Sequence, residues 1–184
     1  MKECYIKDFM VPLSEYATVS KEGTLKDAVE ALEKAQESFD QSRYRHRAVL
    51  VFDENDQVVG KISQLDILKA LEPKYAEIGL TKGMAKFGFG QKFIQTLQEQ
   101  FMPWVEPLKN LKKRADELKV KEFMYTPKDG EYVDENDTLQ SGIHRLVVGH
   151  HQSLLVTKGA EIVGVLRVTD VFSNVFNMIF RAEE

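Results

Sequence analysis

Apolar and polar positions along the chain follow two periods, in the same order twice. Ala17-Thr18-Val19 is a short strand candidate, and Leu25, Ala28, Val29 and Leu32 then recur at helical spacing. Thr24, with Asp27 three residues later, supplies a capping-box start for that helix. Ala48 to Phe52 is a continuous apolar run of β-formers, as a strand buried on both faces requires. Asp53-Glu54-Asn55-Asp56 reads as a turn, Val58 to Ile62 as the next strand, and Leu65, Ile67, Leu68 and Leu71 as a second helix. The order strand, helix, strand, strand, helix returns in Tyr132-Val133, Thr138 to Val148, Ser153 to Val156, Glu161 to Leu166 and Thr169 to Phe180.

The duplication reaches individual residues. Ile6-Lys7-Asp8-Phe9-Met10 returns as Val120-Lys121-Glu122-Phe123-Met124 and Thr24-Leu25 as Thr138-Leu139, both at an offset of 114; Val59-Gly60 with Asp66 returns as Val163-Gly164 with Asp170 at an offset of 104. A repeat of this size normally cannot bury its apolar face alone, so the copies should pack on each other about a pseudo-twofold axis. The expected organisation is repeat one over residues 1–72, an insert over 73–119 and repeat two over 120–184. Residues 6–71 and 120–180 should then share one fold, of mixed α/β (α+β) class.

The insert is too long for a structureless loop in a compact domain. Glycines punctuate its first part, and Phe101, Trp104, Leu108, Leu111, Ala115 and Leu118 then follow a 4-3 spacing. That is the seam of a helix packed lengthwise on another, expected to belong to a second subunit or a partner. Pro103 and Pro107 place a helix break near Met102.

With 43% hydrophobic and 29% charged residues the composition is ordinary for a globular chain, and Cys4, the single cysteine, allows no internal disulfide. The N-terminus has no apolar signal-peptide core, and Val168 to Phe180 is too short and too interrupted to span a bilayer, so a cytoplasmic location is expected. The net charge of −4 hides a basic middle, with ten Lys/Arg against five Asp/Glu between Lys74 and Lys121. Those charges are spread through amphipathic sequence rather than gathered on one face, which argues against nucleic acid as the partner.

The sharpest chemical signal is Gly60-Lys61-Ile62-Ser63-Gln64-Leu65-Asp66 at the start of a helix. Ser63 and unpaired helix N–H groups suit a phosphate, and Asp66 can accept from vicinal ribose hydroxyls. The same pair is equally a routine N-cap. In the second copy Arg167 takes the hydroxyl position, where it either binds phosphate through its planar fork or fills the pocket and pairs with Asp170. His144, His150 and His151 lack the spacing of a zinc site, Gly88-Phe89-Gly90 lacks the context of a phosphate loop, and no Ser/His/Asp or Cys/His arrangement suggests an enzyme.

In combination these features resemble the tandem CBS domains: the doubled strand order, Asp8-Phe9-Met10-Val11-Pro12 and Glu122-Phe123-Met124-Tyr125-Thr126-Pro127 as openings, Thr-Leu at each first helix, and the Gly-to-Asp endings. The resemblance covers about 125 residues and leaves the insert outside; Leu50 stands where the family often has proline. It implies two CBS-type repeats packed sheet to sheet as a Bateman module, with two related clefts for adenosine-containing ligands such as AMP, ADP, ATP or S-adenosylmethionine. By that resemblance Asp66 would hold a ribose, Ser63 would lie near phosphates, Ala17, Thr18 and Val49 would line an adenine slot, and His46 and Arg47 would meet phosphates. Tyr132, Val133, His151, Arg167, Thr169 and Asp170 would form the second cleft, whose occupancy depends on Arg167.

The stripe Val168, Val171, Phe172, Val175, Phe176, Ile179 and Phe180 covers a whole helical face, more than one small repeat can bury, so a homodimer interface is expected. The expected function is a regulatory module that signals ligand occupancy to an effector protein in trans and needs no cofactor for chemistry. The alternative is a ligand-free dimerisation or scaffolding module acting through its apolar helices.

Overall fold

The computed structural model describes residues 4–38, 44–71 and 110–180. Repeat one contains β2 (Thr18–Ser20), α1 (Leu25–Ser38), β3 (Ala48–Phe52), β4 (Val58–Ser63) and α2 (Gln64–Leu71). Repeat two follows the same order with β5 (Tyr132–Asp134), α5 (Leu139–Val148), β6 (Ser153–Lys158), β7 (Glu161–Arg167) and α6 (Val168–Phe180). In each, the first strand runs parallel to the second across a helical crossover and the third runs antiparallel. The capping chemistry read from the sequence forms: the Thr24 amide donates to Asp27 Oδ2 at 2.7 Å and the Asp27 amide to Thr24 Oγ1 at 3.2 Å, while Ser141 N donates to Thr138 Oγ1 at 3.3 Å.

The central strands show why their sequences are continuously apolar. Val49 and Val51 of β3 face helices, in the clusters with Leu32 and with Ala28, whereas Leu50 faces an apolar layer shared with the other sheet. That layer joins Leu50, Phe52 and Val58 of one sheet to Leu155, Ile162 and Val165 of the other. Alternation thus persists inside an unbroken hydrophobic run, because both faces are covered.

The opening segments of the repeats are exchanged. β1 (Val11–Pro12) pairs antiparallel with β7 of repeat two, so the four-stranded sheet runs β1-β7-β6-β5 beside the three-stranded β2-β3-β4. Reciprocally, Tyr125 bridges Lys61 of β4, with both backbone N–H···O bonds at 2.9 Å. Fully buried Ile6 sits in the core of repeat two, and Val120, at the start of the one-turn helix α4 (Val120–Phe123), sits in the core of repeat one.

This exchange accounts for the two best-repeated motifs. Met10 lies over Gly164 and Met124 over Gly60; a Cβ at Gly164 would lie 2.6 Å from the Val11 carbonyl oxygen, and one at Gly60 would lie 2.9 Å from Met124 Sδ. The glycine of each repeat lets the opening strand of the other approach its backbone.

The insert departs in part from expectation. Its described end forms α3 (Leu111–Glu117), which packs on α1 and α2 of repeat one. Arg114 donates to the Ala70 carbonyl at 3.2 Å and Lys26 lies 3.7 Å from Asp116. Leu118 is not on the helical seam: it is extended, and its carbonyl accepts from Leu25 N at 2.8 Å. The chain must leave the helix there to reach the start of α1, so this end of the seam turns inward rather than toward a second molecule. Phe101, Trp104, Leu108 and the proposed break near Met102 lie outside the described residues.

Candidate functional site

An offset of 105 carries Ala48 onto Ser153 and His46 onto His151, and 104 carries Ser63 onto Arg167 and Asp66 onto Asp170. The strand pairing agrees, since Ala48 pairs with Ser63 as Ser153 pairs with Arg167. These equivalent ends converge on one cavity of about 420 Å³ between the repeats. Arg45, Arg47, Ser63, Gln64, Leu65 and Asp66 line it from repeat one; His150, His151, Gln152, Arg167, Val168 and Thr169 face them from repeat two. Tyr16, Lys61, Tyr125 and Glu131 complete the wall.

The two halves are chemically unequal. In repeat one the Ser63 hydroxyl donates to Asp66 Oδ2 at 2.6 Å, the Ser63 amide donates to the same oxygen at 2.9 Å, and the Asp66 amide donates back to Ser63 Oγ at 3.2 Å. This is a capping box; Asp66 Oδ1 is left toward solvent, with Lys69 Nζ 3.7 Å away. In repeat two Arg167 closes a bidentate pair on Asp170, Nε to Oδ2 at 2.5 Å and a terminal nitrogen to Oδ1 at 2.6 Å. Both side chains are buried. Of the two roles open to Arg167, pairing with Asp170 is the one formed. The other terminal nitrogen lies 3.5 Å from His46 Nδ1, and the His46 ring meets Tyr16 edge-on at 4.7 Å between centroids. Burial pushes the Tyr16 phenol up to about 12, which Arg167 opposes and Asp170 reinforces, so it stays a neutral wall of the cavity.

A polar cluster that the sequence reading missed stands on the repeat-one side. Glu131, 3% exposed at its side chain, pairs with Lys61 at 2.5 Å. It also accepts from the Tyr125 hydroxyl at 2.5 Å and the Lys128 amide at 3.2 Å. Burial acts to raise the Glu131 carboxyl, but the hydrogen bonds from Lys61, Tyr125 and Lys128 outweigh it and hold the group below its ordinary range. The same contact, helped by burial, pushes Tyr125 up to about 12. The available signal was the repeat offset, which puts Glu131 where repeat one has Ala17 and Lys61 where repeat two has Val165. Opposite charges at two otherwise apolar positions marked a pair.

This carboxylate has a pH signature. With its folded pKa below the unfolded value of roughly 4.3, its stabilisation is complete above that value and is lost as pH falls through the folded one. Stability of Glu131→Gln, followed by denaturant titration, should therefore fall less steeply than wild type below about pH 5. Parallel slopes would remove Glu131 from the acid response.

Of the residues expected at the site, Arg47, Ser63, Asp66, His151, Arg167 and Thr169 line the cavity, with His46 and Asp170 directly behind Arg167. The others stand apart. Ala17 and Val49 are buried with Leu32 under α1, and exposed Thr18 borders a separate hollow beside that helix. Val133 is in the core of repeat two and Tyr132 packs in the layer between the sheets. Among the described residues no group of three or more His, Cys, Asp or Glu is placed to hold a metal ion, and no helix is long and apolar enough to cross a membrane.

Two β-α-β-β-α repeats that trade their opening segments and share a cavity at their junction define a paired-repeat α+β module. Residues 6–73 match the family model of the CBS domain, and solved structures that share the fold are CBS-domain proteins. No curated protein matches it by sequence. Among solved structures it has the fold of the CBS-pair protein CBSX2 from Arabidopsis thaliana, at a TM-score of 0.61 and 16% identity over 97% of this chain and 98% of that one. CBSX2 in complex with AMP is similar at 0.58 and 17%, covering 96% and 98%. The CBS domain of a CBS domain containing membrane protein from Sphaerobacter thermophilus is similar at 0.60 and 16%, covering 93% and 87%.

Proposed function

We propose that the chain is a regulatory module that binds an adenosine-containing ligand in the cavity between residues 1–72 and 120–184 and passes occupancy to another protein through its insert, residues 73–119. The observation that carries this is the make-up of the cavity. Exposed Arg45 and Arg47 suit a phosphate, the apolar surfaces of Leu65, Val168 and Tyr125 suit a flat base, and one oxygen of Asp66 remains available to a ribose. The AMP complex of CBSX2 supports the choice of ligand class. In this reading Ser63 acts by holding Asp66, and Ala17, Thr18, Val49, Tyr132 and Val133 belong to the framework.

The module works by binding rather than chemistry, and its setting is cytoplasmic, in keeping with a lone half-buried Cys4. A homodimer is supported by α6, where Phe172 is 60% exposed, Ile179 66% and Phe180 70%. The same face favours the second reading, a ligand-free scaffold.

Thermal melts with AMP, ADP, ATP and S-adenosylmethionine separate the two, since a ligand at 100 times its dissociation constant adds about 2.7 kcal/mol of stability. A hydrogen bond to a charged group contributes about 1.5–3 kcal/mol, so Asp66→Ala should weaken the best ligand roughly tenfold or more in a calorimetric titration. Full affinity in Asp66→Ala would move the ligand elsewhere. No stabilisation by any of the four, together with self-association, would leave the scaffold.

A further inference from the structure

The charges around the cavity select among such ligands. Among the described lining residues are four Lys and Arg side chains, of which Lys61 is neutralised by Glu131 and Arg167 by Asp170, leaving Arg45 and Arg47 as the exposed pair. Two carboxylates, Asp66 and Glu131, also face the space. Glu131 is not free to turn away, because Tyr125 and the Lys128 amide hold one of its oxygens while Lys61 holds the other. The pseudo-equivalent positions of Lys61, Tyr125 and Glu131 are Val165, Val11 and Ala17, all apolar and buried. The fold is therefore served by hydrocarbon at this junction, and the polar version occurs only on the side where the cavity opens.

We propose that Glu131 is a specificity-determining residue that confines the cavity to ligands carrying a single phosphate: it neutralises Lys61 and sets its own charge against any longer phosphate chain. One phosphate is matched by Arg45 and Arg47; each further phosphate adds negative charge near a fixed carboxylate, at reduced dielectric, with no further exposed Arg or Lys among the described lining residues to receive it. Removing the carboxylate charge reverses both effects at once, since Lys61 then presents an unpaired ammonium to the cavity.

This inference rests on the anion-binding part of the functional reading and is tested by titration calorimetry in EDTA at constant ionic strength. The probes are AMP, ATP, inorganic phosphate and tripolyphosphate. Wild type should bind AMP at least about tenfold tighter than ATP, and Glu131→Gln should close that ratio by about tenfold, chiefly by gaining ATP affinity. Lys61→Gln/Glu131→Gln, which leaves neither charge buried alone, removes the opposing carboxylate without exposing an ammonium, so it should narrow the wild-type preference by less than Glu131→Gln does, and it carries the test if the single variant does not fold. The same ordering of phosphate over tripolyphosphate without nucleotide binding would support the filter while overturning the adenosine ligand. A wild type that prefers ATP, a ratio untouched in Glu131→Gln, a double variant that keeps the full wild-type preference, or no binding of any of the four anions would overturn the filter.

Discussion

Asp170→Ala is expected to be among the most destabilising single substitutions outside the cores. It leaves the Arg167 guanidinium buried with its bidentate partner gone, beside the buried His46 and Tyr16 rings. Breaking one side of a buried ion pair costs about 3–5 kcal/mol, which for a chain of this size lowers the melting temperature by roughly 6–20 °C. Replacing both partners with hydrocarbon, as Arg167→Met/Asp170→Leu, should recover most of the loss, because the penalty is that of the orphaned charge. Differential scanning calorimetry of both variants decides this; a loss under about 1 kcal/mol in Asp170→Ala would mean that water reaches Arg167 and that this half of the cavity is open.

Gly164→Val should come next, for a steric reason. A Cβ at Gly164 meets the Val11 carbonyl oxygen at 2.6 Å, and that atom belongs to the backbone of β1 and cannot rotate aside. Overpacking typically costs about 1–3 kcal/mol, and displacing a strand places this case at the upper end or beyond. Gly159→Ala is the matched control: its Cβ would meet nothing within 4 Å, but φ is +62°, so only about 1–2 kcal/mol of left-handed strain applies. Equal losses at the two glycines would mean that β1 is not held against β7.

Periodicity and duplication were enough to read the repeat units, and their strands fall within a residue or two of the expected spans, while α1 runs on past Leu32 to Ser38. The exchange of opening segments was not legible, because the Phe-Met and Val-Gly motifs are each local and nothing in their spacing says which repeat they join. At the cavity, Ser63 and Asp66 were found because capping is a three-residue pattern. Lys61 and Glu131 were missed because their contact spans 70 positions of sequence. Arg167 had two physically sound roles, and only the approach of Asp170 in space selects between them. Ala17 and Val49 were placed by family resemblance, whereas their burial under α1 follows from packing that no short motif encodes.

The exchange also sets the order in which the molecule can be made. Repeat one completes its core only when Val120, with the backbone bridge at Tyr125, arrives, and repeat two takes Ile6 from the other repeat. A nascent chain leaving the ribosome at about 5–20 residues per second thus holds its first half incomplete until its second begins to emerge, and the closing contacts are long-range ones that make folding slow. Synthesis and folding are coupled across the whole length, and an early stop would strand a half-built core for the chaperones and proteases of the cell.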